Sequence, residues 1–292
     1  MSASERARLE VRKTYKLFVG GSFPRSESGR TYEALDSGGR FLANVARASR
    51  KDARDAVSAA RKAFGGWSGA TPYNRGQVLY RVAEMLEGRR DQFRSQLEAG
   101  EGVDRAGADE AVSAAIDRWV WYAGWADKIA QVHGSANAVA GPYFDFSLPE
   151  PTGVVAILAP RDSSLLGLVS VLAPVVATGN TAVVVSSYPR PLPAMTLAEV
   201  LATSDVPGGV INILAGDLAE VGPWLASHMD VNGIDLAGVE DPELAAAMEQ
   251  AAADNLKRVL RPALPAWDVD DPGIERMTPF LEIKTVWHPI GV

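Results

Sequence analysis

The stretch "GVVAILAPRDSSLLGL", residues 153–168, decides the fold class. Its first part, "VVAIL", is a short apolar run rich in β-branched residues, which is typical of a strand buried on both faces. Pro160 interrupts the run, and a second apolar segment with helical character begins after Ser164. In an open α/β sheet, ligands and catalytic groups lie beyond the carboxyl ends of the strands. The turn "PRDSS" therefore stands where a functional group is expected.

The same alternation continues towards the C terminus. "TAVVVSS", "GGVINILAG", "NGIDLAG" and "LKRVLR" each predict a short buried strand, and helical segments separate them. With residues 154–158 this makes five strands, which predicts a Rossmann-like α/β domain with a parallel sheet and flanking helices. Upstream lie short predicted strands and three long helical runs, the first of which we expect to end at Gly65 and Gly66. A further extended segment begins at Tyr143, and we expect it to turn between Pro149 and Gly153.

The composition excludes several classes of function. The 292 residues carry a net charge of −7, which argues against nucleic-acid binding because that needs a clustered basic surface. No apolar run reaches the ~20 residues of a membrane span, and "MSASERARLEVRKTYKL" at the N terminus has no apolar signal core, so we expect a cytoplasmic protein. Cysteine is absent, which removes disulfides, thiolate metal sites and a cysteine nucleophile. His133, His228 and His288 lie far apart in the sequence, so no metal site is expected.

The usual phosphate-binding loops are missing. The chain contains neither G-x-G-x-x-G after a strand nor G-x-x-x-x-G-K-[ST]. Asp241, Pro242 and Glu243 have the chemistry of an N-cap and first helical turn. Carboxylates there occupy the N–H groups that a phosphate would need, so a phosphate site at this helix is not expected.

Ser163 and Ser164 follow a strand and precede a helix, as the serine of a nucleophile elbow does. The elbow needs G-x-S-x-G, but Arg161 and Leu165 stand where glycines should flank Ser163. We therefore expect Asp162 or one of the serines to cap the helix, and no serine nucleophile.

Seven stretches of the chain resemble the aldehyde dehydrogenase superfamily, in the family's order and spacing. They are "LFVGGSFPRSESGRTYE", "DARDAVSAARKAFGGW", "YAGWADKI", "EPTGVVAILAP", "LAPVVATGNTAVVV", "VPGGVINILAGDLAEVG" and "NLKRV". The resemblance extends from Tyr15 to Pro262. It implies an NAD(P)-binding Rossmann-like domain, a separate catalytic domain with a cysteine nucleophile, and a small strand-rich oligomerisation domain.

The family's catalytic positions do not carry over to this chain. The motif P-W-N-F-P reads here as "PRDSS", residues 160–164, so that Asp162 stands where the family has the Asn that holds the developing oxyanion. A carboxylate would repel that charge, and loss of one such donor typically costs ~10²–10³ in rate. The nucleophilic cysteine has no counterpart. The resemblance therefore implies no catalytic residue in this chain.

The cofactor positions differ as well. The Lys and Glu of the family's K-P-S-E, which grip the adenosine ribose, are Val185 and Tyr188 here. "IDLAG", residues 234–238, replaces F-T-G-S at the pyrophosphate, and "LRPALPAWD" stands where E-L-G-G-K should follow "NLKRV". The crevice residues that the resemblance picks out are Pro160, Arg161, Val185, Ser186, Tyr188, Gly216 and Gly238. We expect no cofactor; bound NAD(P) is the alternative.

The end of the chain, "FLEIKTV" at residues 280–286, resembles the closing strand of the family's oligomerisation domain. The resemblance thus divides the chain into a mobile N terminus (1–14), a cofactor-type domain (15–138 and 151–262), oligomerisation strands (139–150 and 280–292) and a linker in place of the catalytic domain (263–279). It implies a fold that keeps the assembly strands and lacks the catalytic domain.

Three functions follow as hypotheses. The leading one is a non-catalytic subunit that binds a full-length aldehyde dehydrogenase through two strands, from Tyr143 to Phe146 and from Phe280 to Val286. The first alternative is an NAD(P)-binding oxidoreductase of the family. The second is a small-molecule sensor or hydrolase that uses the vestigial crevice.

Overall fold

The computed structural model describes residues 11–262 and 267–291, which form helices and three sheets. The strands are β1 (Thr14–Tyr15), β2 (Thr31–Leu35), β3 (Phe41–Ala46), β4 (Ser135–Asn137), β5 (Tyr143–Pro151), β6 (Val154–Leu158), β7 (Thr181–Val185), β8 (Ile211–Leu214), β9 (Gly233–Asp235), β10 (Arg258–Leu260) and β11 (Leu281–Pro289). The helices are α1 (Arg50–Gly69), α2 (Pro72–Glu87), α3 (Arg90–Glu101), α4 (Arg105–Trp125), α5 (Ile129–His133), α6 (Leu166–Ala177), α7 (Leu192–Leu201), α8 (Leu218–Ser227) and α9 (Pro242–Ala253).

The largest sheet has the strand order β10-β9-β6-β7-β8, and all its neighbours are parallel. Every residue of β6, β7, β8 and β9 is buried, as expected for parallel strands covered by helices. Helices α1, α6, α7, α8 and α9 pack against these strands. The predicted Rossmann-like parallel sheet of five strands is confirmed.

Helix α1 runs through the two glycines at which the sequence predicted its end. It begins after a capping box of Ser49 and Asp52 and continues to Gly69. The reason is Trp67, which is buried and donates a hydrogen bond from Nε1 to the carbonyl of Val176 at 2.9 Å. Tertiary burial of this ring outweighs the low helix propensity of the glycines before it.

A small N-terminal sheet, β1-β3-β2, adjoins the edge of the parallel sheet. Phe18 and Ile213 exchange backbone hydrogen bonds of 2.9 and 2.7 Å, which ties the segment after β1 to edge strand β8. Of the predicted mobile segment 1–14, residues 1–10 lie outside the described part, and Thr14 begins β1.

The third sheet, β11-β5-β4, is antiparallel and contains the predicted oligomerisation strands. β5 and β11 pair along their whole lengths, from Tyr143 opposite Pro289 to Pro151 opposite Leu281. The turn predicted between Pro149 and Gly153 lies at the end of that range, because β5 continues to Pro151 and the chain turns at Gly153, whose φ is 141°. β4, at residues 135–137, joins this sheet, although the sequence placed it in the cofactor-type domain.

The described part of the connection from β10 to β11, residues 261–262 and 267–280, packs on the parallel-sheet domain. Of the predicted linker, residues 263–266 lie outside the described part; the remainder buries Met277 and leads into the buried Phe280. Arg276 reaches Asp235 at the end of β9, with 2.6 Å between Nη2 and Oδ2. The described linker residues are therefore anchored to the domain and not a loose tether.

Within residues 11–262 and 267–291, no helix is both long enough and apolar enough to cross a membrane. The same residues hold no group of three or more His, Cys, Asp or Glu side chains placed to bind a metal ion.

Candidate functional site

The predicted crevice corresponds to the region beyond the carboxyl ends of β6, β7, β8 and β9, and the turn after β6 bounds it on one side. The amide of Ala159 donates to the carbonyl of Val185 at 3.0 Å, which holds the turn beside β7. Arg190 donates from Nη1 to the carbonyls of Arg161 and Asp162, at 3.0 and 3.2 Å. The Asp162 side chain itself is exposed to solvent. The turn is thus fixed through its backbone.

The two serines of the turn serve helix α6. Ser163 Oγ accepts a hydrogen bond from the amide of Gly167 at 2.8 Å. Ser164 donates from both its amide and its hydroxyl to Glu101 Oε1, at 2.8 and 2.6 Å. Ser163 therefore satisfies an amide of the first turn of α6, as expected of one of the serines, although the N-cap position itself is Leu165, whose side chain forms no capping hydrogen bond. The carboxylate that accepts from Ser164 belongs to α3 and was not predicted.

Carboxylates occupy the N-termini of two helices at this edge of the sheet and the turn before a third. Glu101 accepts from Ser164, two residues before α6 begins. Asp217 caps α8 by accepting from the amide of Ala219 at 3.0 Å, and Asp241 caps α9 by accepting from the amide of Glu243 at 2.9 Å. The partial positive charge of each terminus is compensated by the protein's own acid.

The first turn of α8 also carries Glu220, which binds two arginines. Arg30 and Arg47 donate to its two oxygens at 2.7 and 2.8 Å, and hydrogen bonding to Arg30 is the main reason that the pKa of Glu220 is lowered. The arginines nearest to the α8 terminus are therefore already engaged by a carboxylate.

Tyr188 forms the second wall of the crevice. Its ring stacks on Tyr32 of β2, with 4.6 Å between centroids and 15° between planes. Burial is the main cause that raises the pKa of Tyr32 well above its ordinary value. Among the described residues, neither the Tyr32 hydroxyl nor the buried hydroxyl of Ser186 has a hydrogen-bond partner. Two unsatisfied hydroxyls thus lie near the end of β7.

The two predicted glycines mark close backbone approaches. The amide of Gly238 donates to the carbonyl of Leu158 at 2.8 Å, and a Cβ at Gly238 would overlap the carbonyl of Ala159. A Cβ at Gly216 would lie 3.3 Å from the amide of Ala48. Gly238 therefore closes the crevice against the turn after β6, whereas Gly216 packs against the loop before α1.

Five of the seven predicted crevice residues fall into two groups, and Val185 and Gly216 belong to neither. Pro160, Arg161 and Gly238 adjoin one another around the end of β6, and Arg161 approaches Glu240 with 3.7 Å between Nε and Oε1. Val185 is a fully buried strand residue and does not line the crevice. Ser186 and Tyr188 follow β7, and the Tyr188 ring stacks on Tyr32 of the N-terminal sheet.

Several residues that shape the site carried no sequence signal. They are Tyr32, Arg47, Glu101, Arg190 and Glu220. Four of the five act on partners far away in the sequence, so their roles are visible only once the chain is folded. Arg190 and the turn that it holds are neighbours in the fold, but nothing in the sequence around Arg190 indicates that contact.

The aldehyde dehydrogenase family model matches residues 24–261, a range that includes every strand of the parallel sheet. The chain belongs to the aldehyde dehydrogenase family. The sequence-based identification of the family is confirmed.

Curated relatives support this assignment and show how much of the family's length is covered. An aldehyde dehydrogenase of Aspergillus niger is 33% identical over 249 residues, which are 83% of this chain and 48% of the relative. Aldehyde dehydrogenase family 2 member B4, mitochondrial, of Arabidopsis thaliana is 35% identical over 251 residues, or 84% of this chain and 45% of the relative. The chain spans about half the length of the curated relatives it matches.

Solved structures give the same result. The NAD+ complex of aldehyde dehydrogenase from Bacillus cereus superimposes with a TM-score of 0.79 at 26% identity, covering 85% of this chain and 50% of that one. HpcC from Thermus thermophilus gives a TM-score of 0.80 at 29% identity, covering 85% and 47%. The aldehyde dehydrogenase fold therefore extends over most of this chain and about half of each structure.

Proposed function

We propose that the protein is a non-catalytic subunit that assembles with a full-length aldehyde dehydrogenase. The observation that carries this proposal is the pair β5 and β11, whose apolar side chains face solvent. Phe144 and Leu148 of β5 are 50% and 42% exposed, and Ile283 and Trp287 of β11 are 58% and 59% exposed. Large apolar side chains exposed together mark an interaction surface.

The pairing register distributes these side chains over both faces of the sheet. Trp287 lies opposite Asp145 and Ile283 opposite Pro149, so these four share one face, and Phe144 and Leu148 lie on the other. β11 is moreover the outer strand of the sheet, nine residues long. A long edge strand with apolar residues on both faces suits strand addition, in which main-chain hydrogen bonds of the partner supply affinity.

The register of the sheet is fixed by a polar network that crosses its three strands. Asn137 Nδ2 donates to Asp145 Oδ1 at 2.5 Å and to Ser147 Oγ at 2.9 Å, and the Ser147 and Thr285 hydroxyls are 2.8 Å apart. Asp145 and Ser147 are buried. Buried polar pairs of this kind specify one register, which a surface that docks a partner requires.

The crevice supports the non-catalytic part of the proposal. The chain has no cysteine, and Asp162 stands at the position that the resemblance assigns to the family's oxyanion-binding Asn. The connection from β10 to β11, residues 261–280, is too short to hold a catalytic domain between them. An aldehyde would meet no cysteine nucleophile in this chain.

The family's NAD(P) fits poorly into the residues present. A pyrophosphate needs free N–H groups and a positive helix terminus. Here Asp217 and Asp241 occupy the termini of α8 and α9. Tyr188, at the position of the ribose-binding Glu, is already stacked on Tyr32. We therefore propose that the chain binds no dinucleotide.

The second candidate is an NAD(P)-binding oxidoreductase of the family. It is favoured by the unsatisfied hydroxyls of Tyr32 and Ser186, which a ligand at the end of β7 could satisfy, and by the structural similarity to an NAD+ complex. Calorimetric titration with NAD+ and NADP+ separates the candidates. A low-micromolar dissociation constant would favour the oxidoreductase; no heat is expected from the non-catalytic subunit.

The assembly proposal is tested by co-purification of the tagged chain with a full-length aldehyde dehydrogenase from the same cells. The double variant Ile283→Lys, Trp287→Lys places charges on the exposed sheet and should lose the partner. Tyr73→Lys, Tyr80→Lys on α2 is the matched control, since those rings are 66% and 51% exposed, and it should retain the partner. Equal recovery with both variants, or a stable monomer without a partner, would refute the proposal.

A catalytic test uses Asp162→Asn, which restores the family's oxyanion donor. With NAD+ and a panel of aldehydes, neither wild type nor this variant should exceed a heat-denatured control, because no thiol is present to form the covalent adduct. Turnover by the isolated wild-type chain would contradict the non-catalytic assignment.

A further inference from the structure

A cavity of about 940 Å³ lies between helix α4 and the connection to β11, outside the crevice described above. Its floor is the side of α4 that carries small residues, and its apolar end is formed by Trp121 and Leu166. Asp268, Val269, Asp270 and Pro272 of the connection form the opposite wall. The volume is within the range of small-molecule sites, about 300–1,000 Å³.

Arg118 is the central polar group of this cavity. It is 5% exposed, and it donates to Ser170 Oγ at 3.0 Å and to the carbonyls of Trp267 and Val269 at 2.9 Å each. All three acceptors are neutral. No carboxylate of residues 11–262 and 267–291 forms an ion pair with Arg118, and burial lowers its pKa. A guanidinium has five N–H donors, so two further hydrogen bonds are open to a ligand.

A buried cation without a counter-ion is costly, which is why buried charges are normally paired. In this protein the connection contributes two backbone carbonyls to Arg118 and no carboxylate. A carboxylate on a ligand in the cavity would supply the missing charge.

The rim of the cavity is acidic, opposite in charge to Arg118. Glu110, Asp117, Asp268 and Asp270 are exposed, and none of them forms an ion pair within the described residues. By contrast, Asp109, which also lines the cavity, lies 3.5 Å from Arg90 and 3.9 Å from Arg94. The four free acids would repel a simple anion and attract a cation.

We infer that the cavity binds a small zwitterion of the amino-acid class. Its carboxylate would pair with Arg118 inside the cavity, its ammonium group would lie among Asp117, Asp268 and Asp270 at the rim, and its hydrocarbon part would contact Trp121. A simple carboxylate would leave the rim acids uncompensated, and a simple amine would leave Arg118 unpaired. This inference is independent of the assembly role, because the site lies within one chain.

The test uses four compounds with the same five-carbon skeleton on the isolated chain: 2-aminopentanoate, 5-aminopentanoate, pentanoate and pentylamine. Calorimetry and thermal shift should detect at least one of the two amino acids, with an affinity at least tenfold above that of either singly charged compound. The better of the two isomers reports the spacing between Arg118 and the rim acids. Equal binding of pentanoate or pentylamine, or no binding of either amino acid, would overturn the inference.

Substitutions of residues that line the cavity test whether the amino acid binds there. Asp268→Asn, Asp270→Asn removes rim charge without touching the hydrogen bonds of Arg118 and should weaken the amino acid at least tenfold. It should leave any residual binding of pentanoate unchanged or stronger. Asp271→Asn is the control, since Asp271 is an exposed neighbour that does not line the cavity. Arg118→Lys keeps the charge but loses the planar fork, and it too should weaken binding. Binding that is unaffected by the double variant, or equally weakened by the control, would refute the site.

Discussion

The ring of Tyr188 lies flat against the ring of Tyr32, with 4.6 Å between their centroids. This contact joins the loop after β7 to strand β2 of the N-terminal sheet and is the link between two sheets on that side of the crevice. The family resemblance assigns a ribose-binding Glu to the position of Tyr188. If that assignment holds, an aromatic contact within the protein stands where the family has a cofactor-binding side chain.

We predict that Tyr188→Ala lowers the free energy of unfolding by about 2 kcal/mol, since an aromatic pair contributes beyond the area that it buries. Urea denaturation of wild type and variant measures the difference. Tyr80→Ala, which removes a 51% exposed ring, is the control and should stay within about 0.5 kcal/mol of wild type. A Tyr188→Ala variant as stable as the control would mean that the stack contributes nothing.

The buried ion pair of Asp235 and Arg276 predicts that the stability lost on removing Arg276 depends on pH. Burial is the main cause that raises the pKa of Asp235, and Arg276 opposes it. A carboxyl whose pKa is higher in the folded than in the unfolded state binds a proton more readily when folded, so its contribution to stability falls as pH rises above the unfolded value, about 3.9. Arg276→Met should therefore cost about 3–5 kcal/mol at pH 8, where an unpaired carboxylate is buried, and less at pH 5.

The companion variants for this pair are Asp235→Asn and the double variant Asp235→Asn, Arg276→Met. Without the carboxylate, the cost of removing Arg276 should be small and the same at pH 5 and pH 8. Urea denaturation at both pH values completes the cycle. A cost of Arg276→Met that is independent of pH, or that grows as pH falls, would contradict the assigned role of Asp235.

The parallel sheet could be predicted because its information is local. Each buried strand is a short apolar run, and each following helix has its own start signals; Asp241 and Pro242, for example, cap α9 as expected. The end of α1 could not be predicted from Gly65 and Gly66, because the burial of Trp67 against α6 decides it. Local sequence signals thus predict which helices and strands form, whereas long-range packing can decide where a helix ends.

The site could be predicted only where it rests on backbone or sequence motifs. The serine cap of α6 and the acid at α9 follow from residue type and position. The carboxylate of Glu101 at α6, by contrast, comes from a helix more than sixty residues earlier, and no periodicity links it to Ser164. Tyr32 is still more remote, 156 residues before Tyr188.

We predict that Ser163→Ala costs about 1 kcal/mol of stability, since its hydroxyl accepts from the amide of Gly167 as an N-cap does. Hydrolysis of p-nitrophenyl acetate should equal the buffer rate for wild type and variant alike. Ser95→Ala, on the exposed side of α3, is the control and should leave stability within about 0.5 kcal/mol. An esterase activity above the buffer rate that Ser163→Ala abolishes would instead support the hydrolase hypothesis.

The last prediction concerns removal of strand β11. Truncation must leave Phe280 and Leu281 in place, because both are buried and the carbonyl of Phe280 accepts from Asn180 Nδ2 at 2.9 Å. A chain that ends at Leu281 should keep its parallel sheet, as judged by circular dichroism and a cooperative melt. It should bind a full-length aldehyde dehydrogenase at least about 100-fold more weakly, or about 2.7 kcal/mol, because the edge strand that would pair with the partner is gone.

The matched control for this truncation is a chain that ends at Pro289, where β11 itself ends. It retains every pair between β5 and β11, so its affinity for the partner should equal that of the full chain. The affinities of the full chain and the two truncated chains are compared under the same conditions, with the full-length aldehyde dehydrogenase immobilised on a surface. If the chain ending at Leu281 folds and still binds with unchanged affinity, β11 is not the docking edge. The exposed Ile283 and Trp287 would then need another explanation.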